Sequence, residues 1–466
     1  MKNLKGMSTE SFSVDVESTK GSNVEIEEGK YIDYNMLEAS YFEQWKKFLK
    51  EDAGLYDGAR IGVCVSENQC IMPLILSLQD IVCEIHFLNR SLPVGYINRN
   101  KGNLNYLISD KAFEDLDAVI VACVQFFGVL LYIYRFEGMA VAKQCCCKSF
   151  FYYTSGSTGE PKTCRWTEKG IYREGQTILD EIGIKESDYI LSIVPCCHKF
   201  GQSVGCVAAA MAGAKVRYMN GFQTPTSILK NIQSRKYNYV ILPPMYLELI
   251  CNYLDTLDIE CIFISGGAPL GKKATDSALR IINIYGTTET GVIAINRENR
   301  NDHYAGKLAR NVKVKCNVRC GNSENENRDT YKIEVLTPYG QEDVVTGDYV
   351  AIGDLGWLEG NDIYVSGRED DIININGLKV SGIEIEDVLR KNVAIKDAKV
   401  IKRCNDGREY AHAYVVPVNG RKIDLNELYN FCLQHLQPYK VPKIIEVAEN
   451  FQYTEMGKKT MGGINL

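Results

Sequence analysis

The residues most able to do chemistry form a short loop rich in glycine and hydroxyl groups. Residues 150–153 are apolar and predict a strand, and the loop that follows closes with Pro161 and Lys162. Glycines let the backbone approach a ligand closely, successive N–H groups make a concave anion site, and a lysine suits phosphate. Such a composition is also typical of a flexible surface turn. The density of these residues favours a polyphosphate site made by Thr154, Ser155, Gly156, Ser157, Thr158, Gly159 and Lys162.

This loop resembles the phosphate-binding signature of the adenylate-forming superfamily. That superfamily contains acyl- and aryl-CoA synthetases, the adenylation domains of nonribosomal peptide synthetases, and luciferases. The resemblance covers nearly the whole chain and rests on five motifs in order. It implies a large N-terminal AMP-binding domain over residues 1–367, a hinge at residues 368–370 and a small mobile C-terminal lid domain over residues 371–466.

The turn that follows the strand predicted at residues 281–284 matches the second nucleotide motif of the superfamily. The resemblance implies that the ring of Tyr285 lies against adenine, that the Thr288 hydroxyl binds the α-phosphate and that Glu289 binds magnesium. Alone, this stretch could be an ordinary turn at the end of a strand. Its distance from the phosphate loop favours the functional interpretation, and the ATP-binding stretch then also includes Gly286 and Thr287.

Another glycine-containing stretch admits two interpretations. Gly266, Gly271 and Lys272 have the spacing of a Walker A loop, but Lys273 stands where that loop needs Ser or Thr to hold magnesium. The resemblance instead implies that small residues leave room for the flat base. The residues expected against the adenine are Gly266, Gly267 and Ala268.

His198 follows a strand predicted at residues 189–194 and a proline, Pro195. In acyl- and aryl-activating members, a histidine or aromatic residue after such a proline lies at the substrate pocket. An amino-acid-activating domain would carry an acidic anchor here, and the local motif has none, which fits a substrate without an ammonium group. The alternative is a structural histidine at a strand end. The resemblance makes His198 a catalytic candidate and implies an acyl or aryl acid.

Two charged candidates lie before the hinge and at its first residue. Asp354 is the position expected to hold both ribose hydroxyls, since a carboxylate accepts two donors. Arg368 is expected to reach the ribose or a phosphate. Asp370 occupies the hinge position of the superfamily. Either charge alone would be an ordinary surface residue, and the ordered series of motifs favours the functional role.

The C-terminal region contains the remaining candidates. Gly377 and Lys379 lie in the loop expected to guide a thiol acceptor to the acyl carbon. Lys458 matches the catalytic lysine of the final motif, but the residues after it depart from the usual pattern. The choice between Lys458 and Lys459 therefore stays open.

The elements that must position these residues alternate between strand and helix. This order predicts an α/β fold, a large domain with mostly parallel sheets flanked by helices, followed by a small α+β domain. The pattern predicts a helix over residues 166–182 and a loop-rich stretch over residues 297–327. Residues 118–134 are apolar except for Gln125, but their β-branched content predicts two buried parallel strands around a turn rather than a membrane helix.

Bulk properties narrow the class of protein. The 466 residues are 45% hydrophobic and 24% charged, with a net charge of −6 and no basic run, which disfavours nucleic-acid binding. No secretory signal is apparent. The 17 cysteines are irregularly spaced. We therefore expect a reduced, cytoplasmic protein without a membrane span.

The resemblance implies an AMP-forming acid–thiol ligase of the acyl-CoA synthetase type. ATP, Mg²⁺ and a small carboxylic acid are the expected ligands, and CoA is the expected thiol acceptor. A stand-alone enzyme that loads the phosphopantetheine of an acyl carrier protein is the alternative. An inactive nucleotide-binding scaffold or sensor is a third hypothesis, which the presence of every reactive position disfavours.

Overall fold

The structure is a computed structural model. It describes residues 31–34, 39–89, 94–138, 149–154, 162–254, 260–298, 300, 303–323, 328–341, 348–375, 378–405, 408–418, 421–453 and 459–460. For some of these residues the description covers the backbone alone, and the candidate residues among them are Thr154, Lys162, Asp370, Lys379 and Lys459.

The chain divides into two compact units. The larger unit contains residues 1–301, 308–312 and 336–348, and the smaller contains residues 302–307, 313–335 and 349–466. The hinge expected at residues 368–370 stays a prediction.

One sheet of the large unit is built from the first part of the chain. Its strands are β2 (Ala59–Cys64), β3 (Val82–Phe87), β4 (Tyr106–Ser109), β5 (Val119–Phe126), β6 (Val129–Arg135), β7 (Ser149–Thr154) and β8 (Lys162–Thr167). The strand order is β5-β6-β4-β2-β3-β7-β8, with a parallel centre from β4 to β7 and antiparallel strands at both edges. The helices of this region are α1 (Ala39–Glu51), α2 (Ile71–Leu78) and α3 (Val94–Asn100).

The second sheet of the large unit carries most of the candidate nucleotide motifs. Its strands are β1 (Tyr31–Asp33), β9 (Tyr189–Ser192), β10 (Lys215–Tyr218), β11 (Tyr239–Ile241), β12 (Ile262–Gly266), β13 (Ile281–Thr287) and β14 (Gly291–Asn296). Strands β10, β9, β11, β12 and β13 are parallel in that order, and β1 and β14 flank them antiparallel.

Helices accompany this second sheet. They are α4 (Glu168–Ile182), α5 (Lys199–Gly201, continued by π-helical Gln202–Ala208 and by Ala209–Ala212), α6 (Pro225–Ser234), α7 (Pro244–Leu254) and the short α8 (Lys272–Thr275). A buried core joins α6 and α7 to the strands through residues such as Ile228, Leu247, Leu191, Val240 and Phe263. Burial of these branched and aromatic side chains explains why the parallel strands read as continuous apolar runs.

The small unit is mainly antiparallel. Its first strands are β15 (Tyr304–Leu308), β16 (Lys313–Ser323), β17 (Arg328–Leu336), β18 (Val350–Glu359) and β19 (Asp362–Arg368), ordered β15-β19-β18-β17-β16. There follow the hairpin β20 (Ile372–Ile375) and β21 (Leu378–Ser381), α9 (Gly382–Lys391), β22 (Ile395–Asn405), β23 (Arg408–Pro417), α10 (Leu425–His435), β24 (Ile444–Val447), and the hairpin β25 (Gln452–Tyr453) and β26 (Lys459–Thr460).

The apolar segment at residues 118–134 forms a hairpin. The prediction of two strands was right, but the prediction that they are parallel and buried was wrong. Strands β5 and β6 pair antiparallel around Phe127 and Gly128, both of which have positive φ. A two-residue turn can join only antiparallel strands, and the edge position leaves alternate side chains of β5 exposed. No helix in the described ranges is long and apolar enough to cross a membrane.

The helix predicted over residues 166–182 is present, but its predicted start was two residues too early. Trp166 lies in strand β8, and α4 begins at Glu168, where the Thr167 side chain accepts a hydrogen bond from the Gly170 N–H. The prediction of a loop-rich stretch over residues 297–327 was wrong, because that stretch contains β15 and β16. Its exposed alternate residues, Lys313, Lys315, Asn317 and Arg319, make β16 look like a loop in sequence.

Candidate active site

Three of the candidate motifs lie at the carboxyl ends of parallel strands in the second sheet. His198 comes after β9, Gly266 ends β12, and residues 285–287 end β13. The carboxyl ends of parallel strands meet at one edge of a sheet, which is where ligands bind in open α/β folds. The sequence motifs are therefore gathered at one edge by strand direction alone.

Gly266 is the point of closest approach between two of these motifs. A Cβ added at Gly266 would lie 2.6 Å from Cε2 of Phe200 and 2.9 Å from the carbonyl oxygen of Ile284. Only glycine allows both contacts. The Phe200 ring, two residues after His198, thus lies against Gly266 at the end of β12, and Gly266 in turn lies beside the end of β13 that precedes Tyr285. Gly267 has a φ of +85°, which also favours glycine.

His198 is half-buried at the start of α5. Its backbone N–H donates to the Pro195 carbonyl at 3.2 Å, and its Nε2 lies 3.3 Å from Nδ2 of Asn89. When the Asn89 amide donates, Nε2 is the acceptor and the neutral imidazole carries its proton on Nδ1. Sequence reasoning missed Asn89, whose only signal is its place just after β3.

The backbone of the turn after β13 is held by hydrogen bonds from outside it. The indole N–H of fully buried Trp166 donates to the Thr288 carbonyl at 2.8 Å, and the Gln341 N–H donates to the Glu289 carbonyl at 2.7 Å. The side chains of Thr288 and Glu289 are half-buried, and no hydrogen bond to either is found within the described part of the chain. The turn has a fixed backbone and leaves these two side chains available to a ligand.

A second set of contacts closes the same turn from within. The Thr290 N–H donates to the Thr287 Oγ1 at 3.2 Å, and Gly291 takes a φ of +73°. A Cβ at Gly291 would collide with the carboxylate of Glu174 and the ring of Trp166. The turn is therefore packed against both side chains.

A buried charge centre lies beside this turn, and sequence reasoning missed it. The ammonium of Lys199 forms an ion pair with Glu174 and lies 2.6 Å from Oγ of Ser203, which donates to Glu174 at 2.7 Å. The other carboxylate oxygen of Glu174 accepts the Val292 N–H at 3.1 Å. Burial lowers the pKa of Lys199, although the Glu174 carboxylate opposes that shift.

The phosphate-loop candidates lie on a hairpin. Strands β7 and β8 pair antiparallel, with Thr154 opposite Lys162. Residues 155–161, which carry Ser155, Gly156, Ser157, Thr158 and Gly159, lie outside the described residues. Below the loop, the buried Tyr152 hydroxyl donates to the side-chain oxygen of Gln202 in the π-helical part of α5. The hairpin base is thus joined to the helix that follows His198.

The imidazole of His86 also contacts the base of the hairpin, at Tyr153. Nδ1 of His86 lies 2.7 Å from the Tyr153 hydroxyl, and Nε2 lies 3.1 Å from Oε2 of Glu84. The His86 ring stacks on Phe151. Burial lowers the pKa of His86 more than Glu84 raises it. These contacts fix the strand that leads into the phosphate loop.

The Walker A alternative is excluded by the local contacts. The carboxylate of Glu248 accepts the backbone N–H groups of Lys273 and Ala274 at 3.1 Å each, and it lies where a Cβ on Gly271 would be. The backbone N–H groups at the start of α8, which a Walker A loop would offer to a phosphate, are therefore already bonded to the Glu248 carboxylate. A phosphate would have to displace that carboxylate.

In the small unit, Asp354 and Arg368 face each other across β18 and β19. Nη1 of Arg368 lies 3.6 Å from Oδ1 of Asp354, which is only 7% exposed. Their predicted roles toward ribose and phosphate stay predictions, but the structure does bring the pair together.

The remaining candidates belong to the last part of the chain. Asp370 lies in a short 3₁₀ helix, Glu369–Asp371, between β19 and β20. Gly377 falls outside the described residues, and Lys379 lies on β21. Lys458 also falls outside them, and the backbone of Lys459 pairs with Tyr453.

No group of three or more His, Cys, Asp or Glu side chains that could hold a metal is found in the described ranges. Magnesium usually binds through one or two carboxylates together with water and substrate phosphates. The half-buried Glu289 carboxylate fits that requirement as a single protein ligand.

Comparison with protein families identifies two regions. The AMP-binding enzyme model matches residues 148–319, and the AMP-binding enzyme C-terminal domain model matches residues 384–458. Together the two matches cover just over half of the chain.

The curated relatives are identical to this chain at about a quarter of the aligned residues. The chain is 26% identical over 323 residues to 3,4-dihydroxybenzoate–[aryl-carrier protein] ligase of Bacillus anthracis, covering 66% of this chain and 72% of the relative. It is 25% identical over 340 residues to 4-coumarate–CoA ligase 2 of Nicotiana tabacum, covering 66% and 62%. The chain thus spans less than two thirds of the length of the second relative.

Solved structures share the fold. ATP-bound MatB from Rhodopseudomonas palustris superposes with a TM-score of 0.72 at 18% identity, covering 90% of each chain. O-succinylbenzoate coenzyme A synthetase from Bacillus subtilis, in complex with ATP and magnesium ion, superposes with a TM-score of 0.72 at 18% identity, covering 90% of this chain and 92% of that one.

The α/β fold, its strand-end motifs and the two family matches define the class. The chain belongs to the adenylate-forming superfamily of AMP-binding enzymes. Within that superfamily it is an acid–thiol ligase of the AMP-forming type. The predictions of family, fold class and enzyme class are confirmed.

Proposed function

We propose that the chain uses ATP to convert a carboxylic acid into an acyl-adenylate and then transfers the acyl group to the thiol of CoA. The observation that best supports this proposal is the meeting of three motifs at one sheet edge. The turn containing His198 and Phe200 packs against Gly266, and Gly266 packs against the strand end that leads into Tyr285. An acid and a nucleotide could be bound side by side at such an edge.

In the first half-reaction, a carboxylate oxygen attacks the α-phosphorus, and the bond to the bridging oxygen breaks to release pyrophosphate. The carboxylate is already ionised, so no general base is needed. Such a step depends on positioning and on neutralising charge. We assign the β- and γ-phosphates to the loop at residues 154–162, the α-phosphate to Thr288, and the developing charge to Lys458.

Magnesium, held by Glu289, would supply charge neutralisation at the phosphates. We assign the adenine to Tyr285 and to the small residues Gly266, Gly267 and Ala268. The ribose hydroxyls are assigned to Asp354, with Arg368 reaching the ribose or a phosphate. A carboxylate such as that of Asp354 can accept both hydroxyl donors, and Nη1 of Arg368 lies 3.6 Å from it.

In the second half-reaction, the thiol attacks the acyl carbon, the bond from that carbon to the AMP oxygen breaks, and the thiol proton is released. We propose that the small domain rotates about Asp370 between the two steps. Lys458 would then withdraw, and the loop containing Gly377 and Lys379 would guide the thiol. Rotation about a few hinge residues is an established way to switch between states.

The acceptor and the acid are the finer parts of this proposal. A carrier-protein phosphopantetheine is the second candidate acceptor, because one relative is a ligase for an aryl-carrier protein. His198, and the lack of an acidic anchor beside it, support an acyl or aryl acid rather than an amino acid. The irregular spacing of the 17 cysteines supports a reducing compartment, such as the cytoplasm.

The test is acid-dependent exchange of labelled pyrophosphate into ATP with a panel of acids. We expect exchange that requires magnesium and that non-amino acids support better than α-amino acids. Active acids are then tested with CoA and with a carrier protein as acceptor. Failure to bind ATP at millimolar concentration would defeat the adenylation proposal, and turnover with amino acids alone would defeat the substrate class.

A further inference from the structure

The ion pair between Lys199 and Glu174 is unusual because it is buried in the large unit. Both side chains are almost completely buried, at 5% and 2% exposure. The free-energy cost of removing two charges from water can exceed the gain from their mutual attraction. A protein with well-packed apolar residues in place of a buried ion pair is therefore often at least as stable. Fold stability alone therefore does not explain a charged pair at this place.

The contacts of the pair reach the phosphate-loop hairpin and the turn after β13. The Lys199 ammonium lies 3.8 Å from the centre of the Trp166 ring and 5.6 Å from that of the Tyr152 ring. These rings lie on the two strands of the phosphate-loop hairpin. Lys199 itself follows His198 directly in the chain.

The pair also holds the turn that carries Thr288 and Glu289 from both ends. At the first end, Trp166 lies under the Lys199 charge and donates its indole N–H to the Thr288 carbonyl. At the second end, Glu174 accepts the N–H of Val292. A cation over the face of an indole is attracted to it, most strongly where water is excluded. One charge centre thus fixes two separate backbone groups of the turn.

We propose that Lys199 and Glu174 are positioning residues for the adenylation step, which fix the turn at residues 288–292 through Trp166 and Val292. This inference rests on the proposed function. Neither residue is assigned a contact with substrate. Their effect is to hold Thr288 and Glu289 where the α-phosphate and magnesium would be bound.

The main variant replaces the pair by apolar residues, Lys199→Met with Glu174→Leu. A single replacement would leave the other charge buried and uncompensated, which is strongly destabilising, whereas replacing both partners is often tolerated. The comparison variant is Lys199→Met with Glu174→Gln, since the glutamine oxygen can still accept the Val292 N–H. The matched control, Lys440→Met with Glu384→Leu, removes a lysine–carboxylate pair with distances of 3.0 and 3.2 Å in the small unit.

Two measurements are needed. The first is hydrogen exchange of the amides at residues 286–294, which requires no activity. We expect faster exchange of these amides in the variant with Glu174→Leu, partial restoration of slow exchange in the variant with Glu174→Gln, and no change in the small-unit control.

The second measurement is the rate of each half-reaction. We expect pyrophosphate exchange to fall about 10- to 100-fold, as is typical when the partners of a metal ligand are lost, with thioester formation from supplied acyl-adenylate unchanged.

Unchanged amide exchange in a folded Leu variant would overturn the inference, and so would an equal loss in both half-reactions. If neither pair variant folds, the charge pair is a requirement of the fold and the positioning role is rejected. Failure of the proposed function would give a different experimental result from failure of this inference. The wild-type protein would then show no pyrophosphate exchange with any acid, while the amide-exchange comparison would still report on the turn.

Discussion

The two compact units present their candidate residues on different kinds of scaffold. In the large unit, the candidates follow the ends of buried parallel strands, and Trp166 and Gln341 hold the backbone of the turn after β13. In the small unit, Asp370 lies in the short 3₁₀ helix between β19 and β20, and Lys379 lies on the short strand β21. Buried strand ends suit groups that must keep one geometry, whereas the proposed mechanism requires the groups of the small unit to exchange places between two half-reactions.

The strongest test of this contrast is Lys458→Ala. A preorganised donor that stabilises developing charge typically contributes about 100- to 1000-fold to a rate. We expect a loss of that size in pyrophosphate exchange, with supplied acyl-adenylate still converted to thioester. Both half-reactions are to be measured in the same preparation.

Two companion variants sharpen this result. Asp370→Pro should show the reverse pattern, because proline restricts φ and would impede rotation while leaving adenylation intact. Lys459→Ala settles the register of the last motif, and a Lys458-like loss there would move the role by one residue. If neither lysine affects exchange, the small unit takes no part in adenylation and the contrast between the two units is wrong.

A smaller effect is expected from Trp166→Phe. Phenylalanine keeps an aromatic ring under Lys199 but removes the N–H bonded to the Thr288 carbonyl, and an unpaired buried group costs about 1–3 kcal/mol. Since 1.4 kcal/mol is about a factor of ten, we expect pyrophosphate exchange to fall roughly tenfold. Thioester formation from acyl-adenylate is the internal control. A parallel fall in both steps would mean that Trp166 serves stability and not the geometry of the turn.

The third prediction concerns pH. The pKa of His86 lies below its ordinary value of 6.5 because burial disfavours the imidazolium. Between the folded pKa and 6.5 the unfolded chain binds more protons, so this contribution to stability is full above 6.5 and is lost as pH falls toward the folded pKa. The measurement is urea denaturation at about pH 7 and at about pH 5.5. The free energy of unfolding should be lower at the lower pH, and the difference between the two values should be smaller in His86→Phe. Each tenfold change in proton affinity between the folded and unfolded chain corresponds to about 1.4 kcal/mol. An unchanged pH dependence in the variant would show that His86 is not the group titrating.

The smallest effect is expected in the small unit. The Asp424 carboxylate caps α10 by accepting the N–H groups of Asn426 and Glu427 at 2.8 and 3.2 Å. Asp424→Ala should lower the free energy of unfolding by about 1 kcal/mol. Both half-reactions should keep their rates, because α10 carries no candidate site residue. A selective loss in thioester formation would show that this helix matters to the second step.

The sequence motifs were predictable because their chemistry is local. Tyr285, Thr288 and Glu289 lie within five residues, and the type of each residue already indicates what it can bind. The partners of the buried pair lie 25 residues apart on different helices, so that each looks like an ordinary surface charge. Asn89 and His198 are 109 residues apart. Contacts of this kind depend on how the sheets pack, which residue types and spacing do not encode.

Element errors have equally local causes. The polar residues around Trp166 fit a helical pattern, whereas pairing with β7 places this residue in a strand. The strand β16 was missed because its outward positions are polar. Pairing between distant segments overrides local preference in sheets more readily than in helices.

The exposed face of β16 has a consequence for how the protein behaves at high concentration. An unpaired strand at a sheet edge offers free backbone groups on which another molecule can add a strand, which is one route to aggregation. Along β16, exposed positions carry Lys313, Lys315 and Arg319. A second copy of the strand brought alongside would place like charges close together. The same residues that hid this strand from sequence reasoning therefore oppose its self-association.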